Sequence, residues 1–342
     1  LMQKLFIISS EKIYADNNNF YCDNIDLKST PEGLNKNFEV NLIARKSNIK
    51  RSHRINIKNI KIFGTLFSFL CSLIFSIRKE KEAKYLLISV SPYTFIASIF
   101  IRLFKKKPII YLRSNGFDEY KIILGYLGYI IYYLMFSIST YISTNISCRE
   151  YILKGKKGFV IHPSQLTSQW LDNRKKLREI KKSLLYVGRI RKEKGVFSLI
   201  NILEKNTDIN LTIVGEDEKK IEKKNYKNIK FIQIVNDQDK LIDLYDMHSI
   251  FILPSFTEGQ PMVLLESLSR LRPVIIFDDI KHVIQNRTGI FISKRNHESL
   301  SETVNHIIKN YENIQEMMKK NNLPKLDDFI KNLTSIILKD EN

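Results

Sequence analysis

The chain has few residues of the kinds that build metal centres or disulfide frameworks. It holds three cysteines in 342 residues, Cys22, Cys71 and Cys148. They are odd in number and far apart, so they offer neither zinc-ligand spacing nor a disulfide framework. A reducing cytosol is the expected compartment. The six histidines form no H-x-x-x-H pair. No Asp-x-Asp closes an apolar strand; Asp278-Asp279 is adjacent rather than spaced and reads as a solvated loop. No bound metal and no cofactor are therefore expected. Residues 5–8 read as a strand, not an export segment. Long apolar runs are scarce too. Residues 62–77 fall short of the ~20 residues that a spanning helix needs. Residues 122–142 are long enough, but Gly125, Gly128, Ser137 and Ser139 dilute them. They read as a helix packed in or on a domain, with contact at a membrane interface as the alternative.

What the chain has in excess is positive charge, formally +19. Residues 1–160 carry 25 Lys/Arg against 11 Asp/Glu, or +14; residues 161–342 carry 30 against 25, or +5. A surface so charged attracts anionic lipid, phosphate-bearing substrates or nucleic acid. No nucleic-acid-binding module is recognisable, so nucleic acid is not an expected partner. Arg78, Lys79, Lys81 and Lys84 flank the first apolar run and would help an interfacial helix hold anionic lipid. A lysine-, asparagine- and isoleucine-rich composition is the plainer origin of the same excess.

The length suggests two domains, and the apolar pattern divides accordingly. Strands are expected at 5–8, 38–44, 86–90, 109–112 and 141–147, with a polar loop over Ser9–Asn24 and a helix over 95–104. The polar stretch within 161–182 reads as an interdomain linker. Beyond it, strands at 184–187, 211–214, 230–234, 250–253 and 274–277 alternate with helices at 196–205, 238–247, 261–271 and 298–310. Such alternation argues for parallel sheets covered on both faces, hence an α/β chain of two doubly wound domains. Ligands of such sheets bind beyond the carboxyl ends of the strands.

Two segments at those ends carry chemistry. The strand Ile250–Leu253 runs into Thr257-Glu258-Gly259-Gln260-Pro261-Met262-Val263-Leu264-Leu265-Glu266. Pro261 suits the first helical position, where its missing N–H costs nothing. The amides of Met262, Val263 and Leu264 then lack helical partners and face an anion at the positive end of the helix dipole. Gly259 allows close backbone approach. Glu258 and Glu266 flank this anion site and can accept hydrogen bonds from sugar or ribose hydroxyls. Diphosphate between two sets of hydroxyls is the layout of a nucleotide-sugar. The second segment, Gly188-Arg189-Ile190-Arg191-Lys192-Glu193-Lys194-Gly195, joins strand 184–187 to a helix and can hold a pyrophosphate through Arg189 and Lys194.

These two segments, about 70 residues apart, resemble the signature of GT-B glycosyltransferases of family 4 (glycosyl transferases group 1). That family shows G-R-x-x-x-x-K-G and then E-G-x-P with a second Glu in E-x7-E spacing. Gly188, Arg189, Lys194, Gly195, Glu258, Gly259, Pro261 and Glu266 match it. The resemblance is firm over roughly 183–310 and weak over 1–160. It implies two Rossmann-like domains facing a cleft: 1–160 for the acceptor, 161–182 as linker, 183–320 for the nucleotide-sugar, and 321–342 as a helix crossing back onto the first domain. It implies Arg189 and Lys194 on the donor phosphates, Glu258 near the donor sugar as a catalytic group, and Glu266 on the ribose. Gly188, Gly259, Gln260, Pro261, Met262 and Val263 would complete the donor site. Transfer would usually retain anomeric configuration. Together with the charge split and the apolar runs 62–77 and 122–142, the resemblance makes a glycan or lipid-linked acceptor of the bacterial envelope (lipopolysaccharide, O-antigen or capsule) the simplest expectation. The enzyme would work in the cytoplasm, peripheral on the inner face of the cell membrane.

The chain also departs from the family. Ser9-Ser10-Glu11 stands where a glycine-rich turn is usual. Arg113-Ser114-Asn115-Gly116 stands where a histidine often lies near the donor sugar, and Arg113 or Asn115 would take that function unless Asn115-Gly116 is only a turn. Asp217 replaces the second glycine of the family's I-V-G-x-G, and Leu271 replaces a helix-ending glycine. His248 and His282 read as structural or exposed. Two rival readings remain: a degenerate, non-catalytic nucleotide-sugar-binding protein, and a nucleotide-sugar 2-epimerase on the same fold.

Overall fold

The computed structural model describes residues 2–177, 179–204, 208–215 and 226–339. They form two compact units, one of residues 1–163 with 326–342 and one of 164–325.

The first unit is built on strand β1, Lys4–Asp16. Its side chains alternate between two cores: Leu5 and Ile7 join one, Phe6 and Ile8 the other, as the period of two requires. The expected loop over Ser9–Asn24 is not a loop. β1 runs on through a register shift between Ile8 and Lys12, then turns at Asn17-Asn18 into β2, Asn19–Cys22. Asn17 and Asn18 have φ of 44° and 64°, the left-handed pair of a two-residue hairpin, which asparagine tolerates. Helix α1, Ile25–Leu34, follows. Then come β3, Glu39–Lys46; β4, His53–Ile55; and β5, Asn59–Phe63. The run expected over 62–77 is thus the end of a strand followed by α2, Leu66–Lys79. Next are β6, Lys84–Ile88; α3, Pro92–Leu103; and β7, Ile109–Leu112. The unit continues with α4, Gly116–Ile142; β8, Thr144–Ser147; and β9, Phe159–Val160.

The parallel strands lie in the order β5-β3-β1-β6-β7-β8-β9, with β2 and β4 added antiparallel. One face is covered by α1 and the chain's last helix, whose Phe329, Leu333 and Ile337 are buried there. The other face is covered by α2, α3 and α4 through Phe69, Leu73, Ile101 and Phe136.

The second unit starts earlier than expected. Ser164 onward belongs to it, and Trp170 of the short helix α5, Ser168–Leu171, is 3% exposed in its core. The supposed linker is therefore largely packed structure. The unit continues with β10, Ser183–Val187; α6, Val196–Leu203; β11, Asn210–Val214; and β12, Ile229–Ile232. Then follow α7, Gln238–Met247; β13, Ile250–Leu253; α8, Met262–Ser269; and β14, Val274–Phe277. Two elements beyond the sequence reading come next, β15, Ile290–Ser293, and α10, Tyr311–Met318, on either side of α9, His297–Lys309. The helix α11, Leu326–Lys339, is the one that returns to the first unit. Lys205, expected to end a helix, and Asp217 lie outside the described residues.

The six strands among the described residues of this unit are all parallel, in the order β12-β11-β10-β13-β14-β15. The order reverses between β10 and β13. That is the switch point, where crossovers leave to opposite sides and a crevice opens at the strand ends. The segments after β10 and β13 are the two that carry the motifs.

Candidate functional site: the switch point of the second unit

The two loops are stitched to each other. The Phe256 amide donates to the Glu193 carbonyl at 2.9 Å. Gly195 has φ of +67°, and a Cβ there would lie 1.9 Å from the Pro254 carbonyl oxygen. Only glycine fits, in conformation and in space. Gly215, just after β11, is constrained in space alone: a Cβ there would lie 2.1 Å from the Gly188 carbonyl oxygen.

Across this seam Lys194 Nζ sits 2.7 Å from Glu258 Oε1. Ser255 Oγ donates to the same oxygen at 2.6 Å. The Glu258 side chain is 10% exposed, so its charge is largely withdrawn from water and answered by a cation and a hydroxyl. His282 Nε2 lies 2.7 Å from the Glu258 carbonyl oxygen. Arg189 is exposed at the mouth of the first loop. Its carbonyl accepts the Tyr186 hydroxyl at 2.9 Å. Burial first, then the charge of Glu258, pushes that phenol's pKa up.

Helix α8 begins one residue later than the sequence suggests. Pro261 is its N-cap residue, with ψ of 118°, and Met262 is the first helical residue. The consequence for the amides is unchanged. Among the described residues no side chain caps this N-terminus. The same holds for α6, which starts after Gly195. Two helices thus present uncapped N-termini at the two loops. Gln260 lies just before α8, and neither its Oε1 nor its Nε2 has a hydrogen-bond partner among the described residues, although both are buried. An unpartnered buried amide is costly, and here it stands beside an anion-ready helix end.

Glu266 is 8% exposed and accepts the Tyr245 hydroxyl on Oε2 at 2.9 Å. Burial, then Glu266, raises the Tyr245 pKa well above its ordinary value, so the phenol stays a donor. Tyr245, on α7, was not legible as a site residue, because its partner is 21 residues away. Nor was Arg295. Its guanidinium stacks on Phe256 and Phe277 at 4.1 and 4.3 Å and donates to the Pro254 carbonyl at 2.9 Å. It also pairs with Asp279 at 2.6 Å, so that carboxylate is engaged rather than merely solvated.

The structure brings together Gly188, Arg189, Lys194, Glu258, Gly259, Gln260, Pro261, Met262, Val263 and Glu266 on the loops and helix of this one switch point. Arg113 and Asn115 belong to the first unit, after β7. Arg113 pairs with Asp26, so its charge is already answered. Asn115 Nδ2 donates to Asp118 at 2.6 Å, while its Oδ1 is buried without a partner among the described residues. Asn115-Gly116 is not a turn but the start of α4.

Two doubly wound α/β units, one with motif loops at its switch point, are the GT-B plan, and the comparisons agree. Residues 168–323 match the family described as glycosyl transferases group 1. The chain is 26% identical over 337 residues to the capsular polysaccharide biosynthesis glycosyltransferase CapM of Staphylococcus aureus, covering 86% of each. Its fold is similar to sucrose-phosphate synthase from Thermosynechococcus elongatus, at a TM-score of 0.70, 14% identity and 98% coverage of each chain. It is also similar to Anabaena HepE in complex with UDP and glucose, at a TM-score of 0.68 and 11% identity, covering 99% of this chain and 100% of that one. The chain is a glycosyltransferase of the GT-B fold, and its second unit is a glycosyl transferases group 1 domain.

Proposed function

We propose that this enzyme belongs to family 4 and moves a sugar from a nucleoside-diphosphate sugar to a hydroxyl of a glycan or lipid-linked acceptor in bacterial envelope polysaccharide assembly. The observation that carries the donor site is the seam at the switch point: Lys194 against Glu258, beside two uncapped helix N-termini. The diphosphate lies against the amides of Met262 and Val263 and the cations of Arg189 and Lys194. As the glycosidic bond breaks, negative charge grows on the leaving phosphate, and these fixed donors meet it without reorganising. Glu258 faces the sugar and Glu266 the ribose. Gln260 gains partners for its buried amide when the donor binds. The reaction retains anomeric configuration, with the donor phosphate taking the acceptor's proton, and uses no bound metal.

The pathway is supported by likeness to a capsular polysaccharide glycosyltransferase over 86% of the chain, and the nucleotide by a like fold that holds UDP and glucose. The +14 charge of residues 1–160 favours work at an anionic membrane surface, on the cytoplasmic face.

A panel of UDP-, GDP-, ADP- and CMP-sugars tested for thermal stabilisation decides the donor. Ligand at a hundred times its Kd adds about 2.7 kcal/mol. No stabilisation by any of them defeats the donor reading. Stabilisation without transfer or hydrolysis points to a binding protein, and inversion at C2 of the sugar to an epimerase.

A further inference from the structure

Helix α4 is not one helix. Gly125 has φ of 66° and ψ of −151°, which breaks residues 116–142 into arms of 116–124 and 126–142. The arms fold back on each other. Phe117 meets Tyr129, Tyr132 and Phe136 at ring distances of 5.3, 4.8 and 5.1 Å, and Tyr120 meets Tyr132 at 5.1 Å. As one index falls the other rises, so the arms are antiparallel. Gly128 permits the closest approach, since a Cβ there would lie 2.1 Å from the Tyr120 carbonyl oxygen.

The hairpin's base is buried, but its tip is bare. Every residue from Lys121 to Leu127 is exposed. Ile122, Ile123, Leu124, Tyr126 and Leu127 are 58, 72, 53, 73 and 64% exposed. A soluble surface rarely presents five large apolar side chains together. Cations accompany the exposed apolar groups of this layer. Lys121 is in the tip, and Lys154 lies 5.5 Å over the Phe117 ring at the hairpin's base. On α2, the exposed Phe75 ring has Lys61 and Lys79 at 5.3 and 5.6 Å. Residues 61–157, which hold the whole layer, carry 15 Lys/Arg against 5 Asp/Glu, or +10.

The segment has the length and hydropathy of a membrane span, with only 28% of its apolar window buried. Its geometry excludes a span. The longer arm has 17 residues, about 26 Å at 1.5 Å per residue, and the chain returns to the side it came from. We propose that the hairpin tip is a wedge that dips into one leaflet of an anionic bilayer. Ile123, Leu124, Tyr126 and Leu127 enter the acyl boundary while Lys121 and the net positive charge of residues 61–157 meet lipid phosphates. An apolar tip on a segment of net positive charge suits a deformable anionic surface, although Asp118 and Glu119 lie beside Lys121 in the shorter arm. The inference rests on the membrane association proposed above and adds which element enters the bilayer.

The test uses the full chain with vesicles of phosphatidylcholine alone and of phosphatidylcholine with phosphatidylglycerol. A triple variant, Ile123→Ser with Leu124→Ser and Tyr126→Ser, removes the tip's apolar surface. All three side chains are exposed, so an unchanged melting curve confirms the fold. A second variant, Tyr126→Trp, reports depth through quenching by lipids brominated in the acyl chain. The native Trp170 is 3% exposed and stays silent. Expected are sedimentation of the wild type with anionic vesicles, at least about tenfold weaker partitioning of the triple variant, and quenching of the new tryptophan. Equal partitioning of the triple variant, or no quenching, overturns the wedge and leaves a purely electrostatic membrane contact. A wild type that stays in solution with anionic vesicles overturns both. Self-association that the triple variant abolishes, without lipid binding, assigns the tip to a second copy of the chain and also overturns the wedge.

Discussion

Lys194 and Glu258, 64 residues apart, meet at 2.7 Å where the two loops of the reversed strand order touch. Each holds the other in place. The lysine is drawn off the solvent-facing side of its loop, and the carboxylate is fixed on one oxygen by both the ammonium and Ser255. The pair therefore pre-orients a cation and an anion before any ligand arrives, which is how a site avoids ordering its own side chains during binding.

Arg189→Ala and Lys194→Ala should each weaken binding of the cognate nucleoside diphosphate by roughly ten- to a hundredfold, one charge-assisted hydrogen bond of about 1.5–3 kcal/mol. Arg189 is exposed, so its removal leaves the melting temperature unchanged. Lys194→Ala also strips Glu258 of its cation and lowers the melting temperature. Titration calorimetry beside a thermal melt separates the two effects. Unchanged affinity in both variants removes the phosphate assignment.

Glu266→Ala should weaken nucleotide binding without unfolding the chain, and Tyr245→Phe should do so less. The Tyr245 hydroxyl holds the carboxylate at 2.9 Å, with the Val263 carbonyl as a longer second acceptor at 3.4 Å. Its loss costs the fold about 1 kcal/mol and leaves the ribose contact possible. If Tyr245→Phe weakens affinity as much as Glu266→Ala, the tyrosine itself touches the ligand.

Transfer should survive chelation. The proposed diphosphate site is made of Arg189, Lys194 and helix amides, and among the described residues no three His, Cys, Asp or Glu side chains gather as a metal site would need. Assay with EDTA checks this. Activity lost there and restored by magnesium or manganese would refute it.

The two motif loops were legible as strand–turn–helix segments because each is local: strand, turn and helix start follow one another within a dozen residues, and the spacing itself dictates which groups converge. What escaped was set by distant partners. Trp170 looked like part of a polar linker, but Arg270, 100 residues on, donates to its carbonyl. The Asn17-Asn18 turn was readable in principle, since apolar Ile13-Tyr14 and Phe20-Tyr21 flank it. Asparagine signals hairpin turn and open loop alike, so composition alone does not separate the two. Gly125 and Gly128 were visible as interruptions of an apolar run. That one makes a turn and the other a close crossing depends on Tyr120 and Tyr132, which local pattern cannot place.

Arg270→Ala should be among the most damaging substitutions in the second unit. Arg270 and Asp246 are 1% and 5% exposed. The guanidinium donates to both Asp246 oxygens, at 3.0 and 2.6 Å, and to the carbonyls of Trp170, Asp172 and Asn173. Removing it takes this donor from three carbonyls and, among the described residues, leaves the carboxylate the more distant Arg272, at 3.5 Å. Breaking such a buried pair costs about 3–5 kcal/mol. Urea denaturation measures it. A cost under about 1 kcal/mol would mean that the 170–173 segment is not anchored there.

Stability should fall as pH drops from 7.5 to 5.5, and His248 should account for part of the fall. Its Nδ1 lies 2.7 Å from the Leu244 carbonyl oxygen and its Nε2 2.8 Å from Thr212 Oγ1. A neutral ring satisfies both, with Nδ1–H donating and Nε2 accepting the hydroxyl. Burial lowers its pKa, the Leu244 carbonyl opposes that shift, and Lys230 and Arg272 add to it. His53, on β4, is lowered in the same way, by burial and then Lys28. A histidine depressed in the folded state takes up its proton more readily unfolded. Its stabilising effect is therefore complete above the unfolded value of about 6.5 and is lost as pH falls below it, with a slope approaching about 1.4 kcal/mol per pH unit for each group. Gln at position 248 can donate to Leu244 and accept from Thr212 without titrating. Urea midpoints at both pH values for the wild type and His248→Gln give the answer: the variant should lose less stability on acidification. An identical loss in the two proteins would place the acid sensitivity elsewhere.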